Sequence, residues 1–214
     1  MNQFIIKVCG MRNSENIRNA DSLDFDWMGF IFYPESKRHV AQMPSYMPQR
    51  KKIIGVFVNA TIEEIVHKQK EYHLHGIQLH GDESPVFCEK LRTALRQNGN
   101  SVSLIKAFGI AASDDLKQTE NYENHCDFFL FDTKGQQRGG NGKAFDWKLI
   151  DEYTGETPFL LSGGIGPENA EQIKTVMLHP RFAGVDINSK FETAPAVKDI
   201  EKLKSFILKI RNHE

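Results

Sequence analysis

Phe159-Leu-Leu-Ser-Gly-Gly-Ile-Gly-Pro-Glu-Asn169 reads as a strand, a turn and the start of a helix. Phe159 to Leu161 are continuously apolar, as a strand buried on both faces requires. Glycines at 163, 164 and 166 let the following backbone approach a ligand closely, and Pro167 suits a first helical turn. A Gly-rich turn that feeds a helix N-terminus presents unpaired amides to an anion, which makes the stretch a candidate phosphate seat. Gly-Gly after a strand is also plain turn chemistry, so the weight of this reading depends on where the strand falls among the others.

Outward from that stretch, short apolar, β-branched or aromatic runs recur at Phe4 to Val8, Trp27 to Tyr33, Ile53 to Val58, Gly76 to Leu79, Val102 to Ala107, Phe128 to Phe131 and Phe182 to Ile187. With Phe159 to Leu161 they make eight strand signals, separated mostly by helical patterns instead of hairpin turns. Thr61-Ile-Glu-Glu64 is a capping box that opens a helix with Ile62, Ile65 and Val66 inward. Asn13 to Leu23, Ser84 onward, Asp114 to Tyr122, Pro167 to Met177 and Val197 to Ile210 supply further helices. Ala41 to Gln49 contains Pro44 and Pro48, which predicts a short or irregular helix there. Two architectures fit the alternation, a closed parallel (β/α)8 TIM barrel and an open doubly wound sheet. An open sheet more usually has five or six strands and a Gly-rich turn after the first. Here the glycines follow the seventh, where barrels build phosphate sites, and the reading is α/β with a closed parallel barrel spanning residues 1–214 as one domain.

Composition narrows the partners. The chain has 214 residues, 40% of them hydrophobic, and a formal net charge of -1 with acids and bases interspersed. One large core is within reach, and neither a nucleic-acid face nor an anionic-membrane face is advertised. The cysteines at 9, 88 and 126 are odd in number and scattered, unlike a disulfide framework or a zinc motif. The N-terminal segment lacks the pattern of a secretory signal, and no apolar run approaches the ~20 residues that span a bilayer. The expectation is a cytoplasmic protein acting on a small molecule.

In a barrel, function belongs at the C-terminal strand ends. Those ends carry Cys9-Gly10, Ser36-Lys-Arg38, Gln78-Leu-His80-Gly81, Asp132-Thr-Lys134 and Asp186-Ile-Asn-Ser189. The sixth, seventh, eighth and first strands are consecutive around a closed ring, so Asp132 and Cys9 flank the glycine turn on either side. With strands spaced ~4.8 Å apart, their backbones stand on the order of 10 to 14 Å from one another, room for a small sugar between a thiol and a carboxyl. Such a pair suits proton abstraction on one side and donation on the other. The bland readings are a buried hydrophobic cysteine, which holds for Cys88 and Cys126, and a helix-capping aspartate. His73 and His75 precede the fourth strand and His80 follows it, ~16 Å further along an extended chain, so they cannot share one metal ion.

Lys7-Val-Cys-Gly10, Gly29-Phe-Ile-Phe-Tyr-Pro-Glu-Ser-Lys-Arg38, Gly55-Val-Phe-Val-Asn59, Gln78-Leu-His-Gly81, Phe131-Asp-Thr-Lys134, Gly139-Gly-Asn-Gly-Lys143 with Phe145-Asp-Trp147, and Ser162-Gly-Gly164 together closely resemble the phosphoribosylanthranilate isomerase family of tryptophan biosynthesis. The resemblance runs from about Lys7 to Asp199. It implies a TIM barrel that converts an N-(5-phosphoribosyl)anthranilate aminoaldose to its deoxyribulose aminoketose by an Amadori rearrangement, with no metal or organic cofactor. Carried residue by residue, it implies Cys9 as general base, Asp132 as general acid and Arg38 on the anthranilate carboxylate. Gln78, His80 and Asp186 fall among substrate contacts, and Gly163, Gly164, Asn188 and Ser189 hold phosphate. Near neutral pH a thiol ionising at ~8.5 must lose its proton and a carboxyl ionising at ~3.9 must keep one, so Cys9 needs a nearby cation or a proton-accepting partner, and Arg38 is the cation expected. Gly139 to Gly142 reads as a mobile lid that excludes water, or as a plain loop.

Two departures stand out. Met11-Arg12 follows Cys9-Gly10 where the family commonly has an apolar-Thr pair, and Asn188-Ser-Lys-Phe-Glu192 replaces a Ser-Ser-Gly-Val-Glu pattern. The rival substrate is the bisphosphorylated aminoaldose of histidine synthesis. It needs a second phosphate seat after the third and fourth strands, where Val58-Asn-Ala-Thr61 and His80-Gly-Asp-Glu83 are acidic and poor in glycine. A silent phosphosugar sensor would have lost the acid or the base, and both are present. Monomer and homodimer are equally compatible with the sequence.

Overall fold

The structure is a computed structural model that describes residues 4–97, 101–134 and 146–211. Eight parallel strands close into a ring in sequence order: β1 (Ile5–Val8), β2 (Trp27–Ile31), β3 (Lys52–Phe57), β4 (Gly76–Leu79), β5 (Ser103–Ile110), β6 (Phe128–Thr133), β7 (Phe159–Leu161) and β8 (Phe182–Ile187). Between them run α1 (Ser14–Asp21), α2 (Ile62–Tyr72), α3 (Pro85–Gln97) and α4 (Ala170–Val176), and α5 (Ile200–Arg211) follows. The expected TIM barrel is therefore the fold. The expected lid, Gly139 to Gly142, lies outside the described residues.

Alternation along each strand creates two apolar compartments. Trp27, Ile54, Ile105, Ala107, Leu130 and Leu160, with Ile5 and Phe128 against them, fill the interior of the ring. The opposite parity, including Val8, Phe30, Phe57, Leu79, Phe131 and Ile187, packs outward under the helices. Because both faces are dry, the strands read as unbroken apolar runs. The interior filling occupies the lower part of the ring, which leaves the C-terminal rim for polar side chains.

Local chemistry explains where the elements differ from expectation. Thr61 caps α2 as read, its hydroxyl accepting from the Glu64 amide at 3.2 Å while Glu64 accepts from the Thr61 amide at 2.8 Å. No helix forms over Ala41 to Gln49; that segment runs as bends held against α1, with the Tyr46 hydroxyl and the Gln49 amide donating to Asp21 Oδ2 at 2.9 and 3.0 Å. Two prolines in five residues remove the donors and backbone angles a helix needs there. Ser113–Tyr122 winds as a 3-10 segment instead of an α-helix, with Thr119 bonding back to the Leu116 carbonyl at 2.6 Å. The chain from Pro167 begins as one 3-10 turn and becomes α4 only at Ala170. Val197 belongs to no helix: Glu192–Ala194 (β9) and Val197–Lys198 (β10) form a small hairpin, and α5 starts after Asp199, whose carboxylate accepts from the Lys202 amide at 3.0 Å.

The seam between the first and last strands is a close backbone approach. Ile5 to Val8 pair with Gly184 to Ile187, which sets Lys7 opposite Asp186. A side chain on Gly184 would overlap the Ile5 carbonyl oxygen, so only glycine lets these strands meet. Gly184→Ala is expected to lower unfolding stability by about 3 kcal/mol, the upper part of the usual overpacking range, measured by urea denaturation.

Candidate active site

One cleft opens at the C-terminal rim of the barrel. Its lining includes Cys9, Arg38, Gln78, His80, Asp132, Gly163, Gly164, Asp186, Asn188 and Ser189, so every residue singled out as a site candidate in the sequence reaches one space. Its enclosed part is about 90 Å³, and it opens to solvent at the rim. The ends of β1, β6 and β8 bring the thiol and two carboxyls to it. Ile31, Val56 and Val58 form an apolar wall beside Arg38.

The acid-base groups are held by neighbours. Asp132 Oδ1 accepts from the Thr133 amide at 2.8 Å, and His80 Nε2 lies 3.3 Å from Asp132 Oδ2. Gln78 Nε2 is 2.9 Å from His80 Nδ1. With the amide so oriented Nδ1 accepts, which leaves a neutral ring's proton on Nε2, aimed at Asp132. Lys7 Nζ donates to Asp186 Oδ2 at 3.0 Å, both groups buried, while Asp186 Oδ1 has no partner among the described residues. The Gln78 carbonyl oxygen is likewise buried and without a partner among them. Two orphan acceptors on the wall of a cleft call for donors from a ligand, such as sugar hydroxyls or an amine.

At the glycine turn, φ is +84° at Gly163 and +68° at Gly164. A Cβ at Gly163 would also crowd Asp132 Oδ1 at 2.7 Å. The two amides donate to none of the described residues, and adjacent free amides of this kind are suited to an anion. The helix that was expected to lend its N-terminus does less. Gly166 N already donates to Asn169 Oδ1 at 2.8 Å, and the α-helical part begins four residues later. Beside the turn, after the neighbouring β8, stand Asn188 and Ser189, the latter opening a single 3-10 turn, Ser189–Phe191.

A family model described as N-(5'phosphoribosyl)anthranilate (PRA) isomerase matches residues 6–209. The chain belongs to the phosphoribosylanthranilate isomerase family. It is 51% identical over 213 residues to the N-(5'-phosphoribosyl)anthranilate isomerase of Parabacteroides distasonis, covering 97% of this chain and 93% of that protein. The crystal structure of phosphoribosyl anthranilate isomerase from Thermotoga maritima superposes with a TM-score of 0.81 at 32% identity, over 98% of this chain and 99% of that one. A phosphoribosyl anthranilate isomerase in complex with reduced 1-(o-carboxyphenylamino)-1-deoxyribulose 5-phosphate superposes at 0.79 with 30% identity and the same coverage.

One expectation from the sequence needs correction. Arg38 is not the main cation beside Cys9. The Nε edge of its guanidinium is taken by Glu192, and the cations acting most on the thiol are Lys7 and then Lys198. Burial nonetheless dominates and pushes the Cys9 thiol above its ordinary range, with Lys7 opposing and Asp186 adding to the rise. Arg12, the departure next to the base, is exposed and turned away, with Nη1 donating to the carbonyls of Lys37 and His39 at 3.4 and 3.3 Å. Lys190, the other departure, is exposed as well. Lys7, Glu192 and Lys198 were not singled out as site residues in the sequence. Lys7 carried a signal, a lysine in the middle of an apolar strand two residues before the cysteine. The other two carried none.

The sign of the Cys9 shift fixes a measurement. With its pKa raised, the thiol holds its proton through neutral pH and ionises only above the free-thiol range of ~8.5. Alkylation of Cys9 by iodoacetamide, against a Cys9→Ala background, should accordingly have its midpoint above that range. Lys7→Met should move the midpoint up by about one pH unit or more, as loss of a close opposite charge does.

Proposed function

We propose that this chain isomerises N-(5-phosphoribosyl)anthranilate to 1-(2-carboxyphenylamino)-1-deoxyribulose 5-phosphate, with Cys9 as general base and Asp132 as general acid. The observation that carries the assignment is the single cleft in which a thiol on one wall and a carboxyl on the other flank an amide turn suited to phosphate. The family match supports the substrate.

The steps follow from where the groups stand. The 5-phosphate docks on the amides of Gly163 and Gly164 with Asn188 and Ser189 beside them, and the aromatic ring lies on Ile31, Val56 and Val58 with its carboxylate toward Arg38. Asp132 gives its proton to the furanose ring oxygen as the C1′–O bond breaks. The nitrogen lone pair moves in to form a Schiff base. Cys9 as thiolate removes the C2′ proton, and those electrons flow to the iminium nitrogen to give an enolamine. Loss of the C2′ hydroxyl proton and gain of one at C1′ complete the ketone. Oxidation at C2′ and reduction at C1′ balance within one molecule, so the chemistry requires no external hydride. Asp186, with one oxygen on Lys7 and the other facing the cleft, takes a sugar hydroxyl or the substrate N–H.

Fixing the phosphate end makes both proton transfers intramolecular in effect, which is where much of such a rate enhancement originates. The thiol must ionise against burial, and water exclusion by bound substrate leaves Lys7 as the charge that favours the thiolate. Freshly prepared phosphoribosylanthranilate should lose its aromatic fluorescence when the wild-type protein is added. Cys9→Ala and Asp132→Asn should each slow turnover about 10²- to 10⁴-fold, the usual contribution of general acid or base, with fluorescence binding assays showing ligand affinity largely kept. Near-normal turnover in both variants would rule out this pairing.

A further inference from the structure

Arg38 is clamped by a carboxylate that has no free acceptor left for substrate. Its Nε donates to Glu192 Oε1 and Oε2 at 2.8 and 3.1 Å, and its Nη2 to Oε2 at 2.6 Å. Glu192 Oε1 also accepts from Lys198 Nζ at 2.6 Å and from the Ala196 amide at 3.2 Å. Lys198 Nζ in turn donates to Asn188 Oδ1 at 2.7 Å, and the Lys198 ammonium is wholly buried. Burial pushes the Glu192 carboxyl up, but the hydrogen bonds and charges of Arg38 and Lys198 outweigh it and hold the group below its ordinary value. Glu192 is therefore an anion between two cations, and the trio keeps one positive charge in excess.

The hairpin of β9 and β10 lies outside the barrel sheet and carries two of the trio, Glu192 and Lys198. Ala196 adopts φ +65° at its turn, a conformation unfavourable for a residue with a side chain, and thereby aims its amide at Glu192. Asn16 of α1 pins the other strand, accepting from the Lys198 amide at 2.7 Å and donating to the Lys198 carbonyl at 2.8 Å. Arg38 Nη1, the nitrogen not facing Glu192, donates to none of the described residues, and Arg38 lines the cleft.

We propose that Glu192, seated on Lys198, is a positioning residue for Arg38: it occupies the Nε edge of the guanidinium and so turns the Nη edge to the cleft, where it selects a substrate bearing an aromatic carboxylate. This rests on the reading of Arg38 as the carboxylate's partner. A planar fork held along one edge can offer only its other edge, so the second bidentate pair has a fixed direction. The same network reaches Asn188, which joins the anchor for one end of the substrate to the anchor for the other.

The test compares two stable probes by calorimetry, the reduced product analogue 1-(2-carboxyphenylamino)-1-deoxyribitol 5-phosphate and its counterpart lacking the carboxyl group. Wild type should prefer the carboxylated probe. Glu192→Gln should weaken that probe about 10- to 100-fold, as loss of a residue that orients a ligand-binding group does in metal sites, and leave the other within about twofold. In turnover, the same variant should raise KM with kcat within a few-fold of wild type. Glu192→Asp, which keeps the charge but withdraws the carboxylate by one methylene, should show a smaller loss confined to the carboxylated probe, and carries the test if the glutamine variant does not fold. Arg38→Lys separates the two readings. If it leaves the preference for the carboxylated probe intact, Arg38 is not the partner and the proposal falls with that reading. If it removes the preference while the Glu192 variants weaken both probes equally, or neither, Glu192 is structural and only the positioning role is overturned.

Discussion

A closed ring of eight strands can present only one face of each strand to its interior, and this limit governs the whole molecule. Residues of one parity must fill the barrel and those of the other must pack beneath the helices. Trp27, Ile54, Ile105, Leu130 and Leu160 take up the lower interior. Inward positions nearer the C-terminal ends of the strands are left at the rim, among them Cys9, Gln78, Asp132 and Asp186. Chemistry is thus confined to a single layer of side chains, floored by a dry plug. A floored cleft has one mouth, so substrate and product use the same path.

Within that layer, charge is arranged in two buried groups. Lys7 with Asp186 sits beneath the thiol, and Arg38, Glu192 and Lys198 stand at the side of the cleft. Buried charges are costly unless paired and fully hydrogen-bonded, which both groups nearly achieve. The exception is the second oxygen of Asp186, which has no partner among the described residues. In the proposed mechanism the two groups act on different parts of the reaction. One favours a thiolate where burial opposes it, and the other would aim a guanidinium at the far end of the substrate.

The fold was legible because strands buried on both faces leave unbroken apolar runs, and eight of these with helical spacing admit few architectures. The candidate site was legible because strand ends are readable once the strands are. What escaped were features fixed by partners distant in sequence. Arg38 and Glu192 are 154 residues apart, and no local pattern announces their pairing. For the same reason the sequence suggested Arg38 as the cation beside Cys9, when the nearer one was Lys7 on the same face of the same strand. The segment after β2 and the 3-10 winding over Ser113–Tyr122 were blurred by a different cause. Prolines remove backbone donors from the first, and in the second Asp115 and Thr119 offer the backbone local hydrogen bonds that compete with a regular helix.

The pairing of Lys7 with Asp186 spans 179 residues, from the first strand to the last. At ribosomal rates of ~5–20 residues per second, Lys7 waits roughly 10 to 35 s before its carboxylate is made. An unpaired ammonium resists leaving water, so β1 cannot settle into a dry interior on its own. The charge that favours the thiolate in the finished protein also keeps the earliest strand hydrated during synthesis, until the ring has its closing member.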